Sequence, residues 1–285
     1  MDEKSIEKDV QSSIADQALK NPVKYTFMLT KEIFTLNKGL FLGIAAIVIL
    51  LTLLSVVPIV GLVASILSGI LLFGLLFFVG GYFYRSKTMD EFVGTIRSMT
   101  IANLFRNYLK PSLGAYVGWV ILVLPVMLIF GLIVGLIRQS ILIGTIPNGD
   151  STTLPATLSA VILPLIIIAF VLYIMPLVIA NMIKRDNFVD AFKAVFTVFS
   201  KDVWRRAFTK AYFKYMGLIG FWLLLLITTA IVFSGLLMRL FFAIDPSMME
   251  SGIVIVLILM VILQIIMNIF FAVSSIIAER ITQQQ

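Results

Sequence analysis

The chain has 285 residues, 60% hydrophobic and only 13% charged, with a formal charge of +7; a soluble domain carries about a quarter charged residues, so an ordinary water-soluble fold is excluded. There is no cysteine, hence no disulfide, thiolate nucleophile or zinc–thiolate site, and no histidine, hence neither the commonest general base nor the commonest transition-metal ligand. The lysines and arginines sit beside apolar stretches, which points to an anionic membrane surface as partner and not to nucleic acid.

Residues 1–38 are polar and mixed in charge. They lack the short apolar core of a secretory signal peptide, so Met1 is expected to be retained and the first span to act as an uncleaved anchor. Within them Asn21-Pro22 reads as a helix N-cap followed by proline in the first turn. Lys24, Lys31 and Lys38 then recur every seven residues, while Tyr25, Met28, Leu29, Ile33 and Leu36 line another face.

From Gly39 to Tyr84 no side chain is charged, and Pro58 divides the run. At about 1.5 Å per residue it is long enough to cross a bilayer core twice. Four later segments also reach the length of about 20 apolar residues that a crossing needs. The spans are placed at 39–57, 59–82, 113–137, 158–183, 216–238 and 252–277. Backbone groups in lipid must be satisfied within each segment, so the expected fold is all-α: six transmembrane helices as three hairpins in one domain, 39–278. Cytoplasmic loops fall at 83–112 and 184–215 and a tail at 279–285.

Direction follows from the basic residues. All of them except Arg138 and Arg239 lie in the N-terminal segment, in these two loops or on the tail. The positive-inside rule then puts both termini and both loops in the cytoplasm. The opposite side is thin: Val57-Pro58, a connection with the turn Asn148-Gly149-Asp150, and a third centred on Asp245-Pro246.

Each hairpin is preceded by an amphipathic stretch. In the second, Ile101, Leu104, Phe105, Tyr108 and Leu109 follow helical spacing, with Arg106 and Lys110 off that stripe. In the third, Phe188, Phe192, Phe196 and Phe199 form one row and Trp204, Phe208, Tyr212 and Tyr215 another, with Arg206, Lys210 and Lys214 as a basic row and Arg205 beside it. Asp16, Asp90 and Asp190 precede Gly39, Gly114 and Gly217 at similar intervals, which suggests a duplicated hairpin. These stretches read as interfacial helices lying at the headgroups, with Lys24, Lys31, Arg106, Lys110, Trp204, Arg205, Arg206, Lys210 and Lys214 as contacts. The sharper alternative is that 184–215 docks a cytoplasmic or membrane protein.

Helices in lipid associate through close backbone approach and a few polar contacts. Gly39 and Gly43, then Gly61, Ser65 and Gly69, then Gly114 with Gly118 and Gly131 with Gly135 supply small residues at four-residue spacing. They read as packing faces within the chain, with a homo-oligomer face as the alternative. Pro125, Pro164 and Pro176 predict kinks, which could open a cavity. Asn181, Gln264 and Asn268 are the candidate intramembrane polar site; the last two share a helix face, and such an amide pair usually bonds to a neighbouring helix.

The spans contain no Asp, Glu, Lys or Arg, which argues against proton-coupled pumps and voltage sensors. No nucleotide-binding, metalloprotease or serine-nucleophile motif occurs. Asp186, Asp190 and Asp202 are the nearest thing to a metal-holding acid cluster, but Asn187 with Asp190 reads as a helix cap and Asp202 as a first-turn acid after Ser200. No catalytic residue, metal or cofactor is therefore expected.

The carriers of a family resemblance are Gly80-Gly81-Tyr82, Leu124-Pro125, Tyr173-Ile174-Met175-Pro176-Leu177-Val178-Ile179-Ala180-Asn181 and Asn187-Phe188-Val189-Asp190-Ala191-Phe192. In this order of features the chain resembles a group of uncharacterised six-helix prokaryotic membrane proteins, and the membrane domain attached to some glycerophosphodiester phosphodiesterases. The resemblance implies a compact six-helix bundle with a link to lipid or envelope homeostasis; it supplies no catalytic residues. The expectation is a non-enzymatic, lipid-interacting accessory or transport component. A transporter subunit coupled to a cytoplasmic partner, or a small-solute channel, are the alternatives.

Overall fold

The computed structural model describes residues 18–142, 173–244 and 249–284. Among these the regular structure is helical throughout. We number the helices α1 (Pro22–Leu36), α2 (Lys38–Leu54), α3 (Pro58–Arg85), α4 (Met89–Ser98), α5 (Ile101–Leu142), α6 (Tyr173–Ile183), α7 (Phe188–Val195), α8 (Lys201–Ala207), α9 (Lys210–Ile244) and α10 (Met249–Gln283). A 3-10 turn, Phe196–Phe199, joins α7 to α8.

Four segments are long and apolar enough to cross a membrane: Pro58–Arg85, Ile101–Pro125, Lys210–Leu240 and Gly252–Gln283. A fifth arises if α1 and α2, which meet at 87°, are taken together. The first expected span is thus a 17-residue helix, α2, preceded across the bend by α1. Of the fourth expected span only α6 is described. Its earlier part with Pro164, the turn Asn148-Gly149-Asp150, and Asp245-Pro246 lie outside the described residues.

The helix starts follow from local chemistry. The Asn21 side chain accepts from Lys24 N at 3.4 Å, with Pro22 in the first turn. Asn37 forms the bend between α1 and α2: its Oδ1 accepts from Leu40 N at 3.0 Å, and its Nδ2 donates to the carbonyls of Ile96 at 2.7 Å and Met99 at 3.0 Å. One amide therefore caps the start of α2 and takes up carbonyls at the end of α4. Asn187 caps α7, accepting from Asp190 N at 2.8 Å.

The basic stretch 101–112 is no separate helix. α5 runs from Ile101 through Pro111 and Pro125 without interruption, so Arg106 and Lys110 sit on an extension of a span. Lys210 and Lys214 sit likewise on the first turns of α9. α10 continues to Gln283, beyond the expected end at 277, and Glu279 and Thr282 on it are buried.

α3 packs against α2, α5 and α10, and α10 packs against α1, α2, α3 and α9. Close approach depends on particular glycines. A Cβ on Gly69 would stand 2.3 Å from the Tyr116 ring and one on Gly80 2.4 Å from Ile183 Cδ1. On Gly114 it would stand 2.1 Å from the Phe188 carbonyl oxygen, and on Gly118 2.8 Å from Val195 Cγ2. Gly114 and Gly118 therefore form a seat for α7, whose backbone lies directly on α5. Gly61 closes on Ser55 of its own hairpin and Gly43 on Ile101, whereas Gly39, Gly131 and Gly135 have no atom of the described residues within contact distance. Ser65 is exposed.

Packing is densest toward the charged ends of the helices, around Phe77, Phe78, Phe83, Ile183, Ile276 and Ile277, all at most 1% exposed. The other halves are open: Val56, Ile59, Leu132, Leu224 and Ile231 all expose more than half their surface. Open apolar surface on this scale is what a helix presents to lipid and not to water.

Candidate functional site

Ion pairs between separate elements knit one end of the bundle together. Arg85, at the end of α3, pairs with Asp186 in the turn between α6 and α7. Lys184, in the same turn, pairs with Glu279 near the end of α10. Arg206 on α8 reaches the same Glu279 oxygen at 3.7 Å and holds Asp202 at 2.8 Å. Glu279 is 2% exposed, and among the described residues its second oxygen has no hydrogen-bond partner. Lys184 Nζ lies 4.8 Å from the centre of the Tyr84 ring and the Arg280 guanidinium 5.5 Å from it, both within cation–π range. Carboxylates, cations and one aromatic face from α3, the α6–α7 turn, α8 and α10 thus converge.

Tyrosine hydroxyls bind the same region. Tyr173 donates to the Ala207 carbonyl and Tyr212 to the Tyr173 carbonyl, both at 2.6 Å. Tyr215 Oη lies 2.8 Å from Thr26 Oγ1 and 3.4 Å from the Ser274 carbonyl, which ties α9 to α1 and α10. Because Ala207 meets the first turn of α6, the segment 184–207 folds back alongside the bundle.

The rows drawn through 184–215 divide. α8 stops at Ala207 and α9 starts at Lys210, so the break at Phe208-Thr209 resets the helical phase. Tyr212 and Tyr215 turn inward, 0% and 2% exposed, while Phe208 and Phe213 turn outward. Arg206 turns inward to Glu279; Arg205, Lys210 and Lys214 stay exposed. Trp204 is half-buried, its indole N–H donating to the Val198 carbonyl at 2.7 Å. In the first row, Phe188 stacks on Phe192, Phe192 meets Phe196 at a tilt, and Phe199 projects 72% exposed where the 3-10 turn departs from α-helical spacing. The inward face of the whole segment is built from small and branched residues: Ala191, Ala194, Val195, Val198, Val203 and Ala207. Lys24, Lys31, Arg106 and Lys110 are all exposed.

The three intramembrane amides do not meet in a described pocket. Asn181 Nδ2 lies 3.3 Å from Thr197 Oγ1, an unanticipated partner from the 3-10 turn. Gln264 is exposed and Asn268 half-buried. A shallow apolar recess between α3 and α5, lined by Phe73, Tyr116, Trp119, Val123, Leu124 and Met127, contains none of them. Asp186, Asp190 and Asp202 are each engaged locally, by Arg85, Asn187 and Arg206. Among the described residues, no group of three or more acids is placed to hold a metal.

Sequence reasoning missed Glu279 and its partners Lys184, Arg280 and Tyr84. The available signal was that Glu279 is the sole acid after Glu250, one turn beyond Ser275 on an unbroken helical register. No family model, curated protein or solved structure matches this chain.

Proposed function

We propose that the chain is a six-span protein of a prokaryotic inner membrane, its termini and larger loops cytoplasmic, that acts without enzymatic activity of its own as a lipid-interacting accessory or transport component. The likeness to six-helix prokaryotic membrane proteins belongs to the same proposal. One observation carries it. The segment 184–215 turns its small residues inward and presents Phe199, Phe208 and Phe213 outward among Lys201, Arg205, Lys210 and Lys214. Aromatic rings interleaved with cations suit the headgroup layer, where ring bodies enter the acyl boundary and cations meet lipid phosphates. The seat on Gly114 and Gly118 holds this face at a fixed depth along α5.

Each such cation contributes about 1 kcal/mol against an anionic surface. Removing three, in Arg205→Ala/Lys210→Ala/Lys214→Ala, is therefore expected to weaken retention of phosphatidylglycerol on the order of 100-fold. Native mass spectrometry of the detergent-purified protein reads this directly, with phosphatidylethanolamine as the competing lipid. Equal retention of the two lipids by the unsubstituted protein, or an unchanged preference in the triple variant, would sink the lipid reading.

The exposure of Phe199 also favours a second reading, in which the same face docks a soluble partner as part of a transporter complex. A stoichiometric soluble protein recovered in mild detergent and lost in Phe199→Ser would support it. The channel reading has less behind it, since Asn181 is engaged by Thr197 and Gln264 faces outward.

A further inference from the structure

Residues 1–17 precede the described part of the chain. They carry five acids, Asp2, Glu3, Glu7, Asp9 and Asp16, against two lysines, while the rest of the chain carries twenty cations against ten acids. A segment of net −3 is thus tethered to a body of net +10. Ile6, Val10 and Ile14 recur every four residues among these acids, and the next position of that row, Ala18, is wholly buried in the core.

The segment joins the bundle close to one cationic face. Eight residues after Ala18, Thr26 Oγ1 lies 2.8 Å from Tyr215 Oη. Lys214 adjoins Tyr215 and Lys210 lies four residues further back, both exposed, with Phe213 66% exposed between them. Lys201 and Arg205 continue the exposed cations onto α8, where the one neighbouring acid, Asp202, is already held by Arg206. Seventeen residues reach at most about 56 Å, ample for this face. The comparable exposed group on α5, Arg106, Leu109 and Lys110, lies toward the other end of α1, where Asn37 bonds Met99. On α1 itself, Lys31 already has Glu32 beside it.

We propose that residues 1–17 dock on the face of Lys201, Arg205, Lys210, Phe213 and Lys214 and compete there with the phosphates of anionic lipids. Charge complementarity selects an acidic occupant, and the apolar row of Ile6, Val10 and Ile14 suits the Phe213 ring. The tether selects this segment over a free partner, since it supplies a local concentration on the order of millimolar near its point of attachment. The competition rests on the lipid reading above; the contact itself does not.

The chain has no cysteine, so Ser12→Cys/Lys210→Cys holds two thiols and no others. Oxidation of the full chain in liposomes is expected to join the two peptides within one chain of 31.7 kDa. The yield is expected to exceed that of Ser12→Cys/Lys110→Cys about tenfold, because Lys110 lies further from the attachment. Lys110 and Lys210 are both exposed, so the two pairs keep the fold and lose equal charge. Adding Asp2→Asn/Glu3→Gln/Glu7→Gln/Asp9→Asn, or salt at about 1 M, is expected to bring the first yield down to the second. Replacing phosphatidylethanolamine by phosphatidylglycerol is expected to lower it about tenfold as well. Equal yields at the two lysines, or a yield indifferent to the four amides, overturns the proposal and leaves the lipid reading intact. So does a product of twice the chain's mass, which assigns the face to a second copy. A link indifferent to phosphatidylglycerol, in a protein that retains this lipid, overturns the competition. The same link in a protein that retains none supports the contact and sinks the lipid reading.

Discussion

Glu279 concentrates the charge of one end of the molecule. Its buried carboxylate faces two cations from different segments, Lys184 and Arg206, with Arg280 close by and the exposed Asp202 as a further anion on Arg206. Removing one member of a buried pair leaves the rest uncompensated, which costs about 3–5 kcal/mol in a fully buried site. Lys184 and Arg206 are 21% and 22% exposed, so water relieves part of this and Glu279→Ala is expected to cost about 2–3 kcal/mol. Glu279→Gln should cost less, because it keeps the shape and an acceptor. A fall in the midpoint of thermal unfolding in detergent, larger for alanine than for glutamine, checks this; equal midpoints for all three proteins refute the hub. Composition made the scarcity of charge legible, but Glu279 was read as part of a free tail. Whether a carboxylate at a span's end meets water or a lysine depends on where another loop returns.

At the scale of elements, the glycines separate by what approaches them. Gly114 and Gly131 belong to the same four-residue pattern on α5, yet a Cβ on Gly114 would collide with a backbone carbonyl and one on Gly131 meets nothing among the described residues. Gly114→Ala is therefore expected to destabilise by about 1–3 kcal/mol, the range for overpacking, and to free α7. Gly131→Ala should be neutral. Limited proteolysis between Ile183 and Phe188 reads this, and equal cleavage of the two variants counts against the seat. The caps at Asn21 and Asn187 were legible because capping is a contact within four residues. The breaks at the 3-10 turn and at Phe208-Thr209 were not, and a row drawn at constant spacing cannot survive them. Tyr212 and Arg206 accordingly face inward although the pattern grouped them with surface residues. Nor does the pattern distinguish a flat interfacial helix from the straight continuation of a span, as at Ile101–Lys110.

For the whole molecule, the charged end is closely packed and the opposite halves of α3, α5 and α9 are open apolar surface. This gradient fits a bundle anchored at one membrane face and surrounded by lipid toward the other. If the basic loops are cytoplasmic, Lys31→Cys, Lys110→Cys and Lys214→Cys should resist an impermeant maleimide in intact cells and react after lysis. Val56→Cys, at the tip of the first hairpin and 83% exposed, should react in intact cells. The reverse pattern would invert the topology. By itself the sequence determined the helical class, the apolar segments and the asymmetry of charge, because each is a property of composition and local period that lipid enforces on any chain. Only the tertiary structure decided which glycines are seats and that Glu279 and Arg206 are internal. Those outcomes depend on which distant backbone comes close, and residues remote in sequence leave no local trace of that approach.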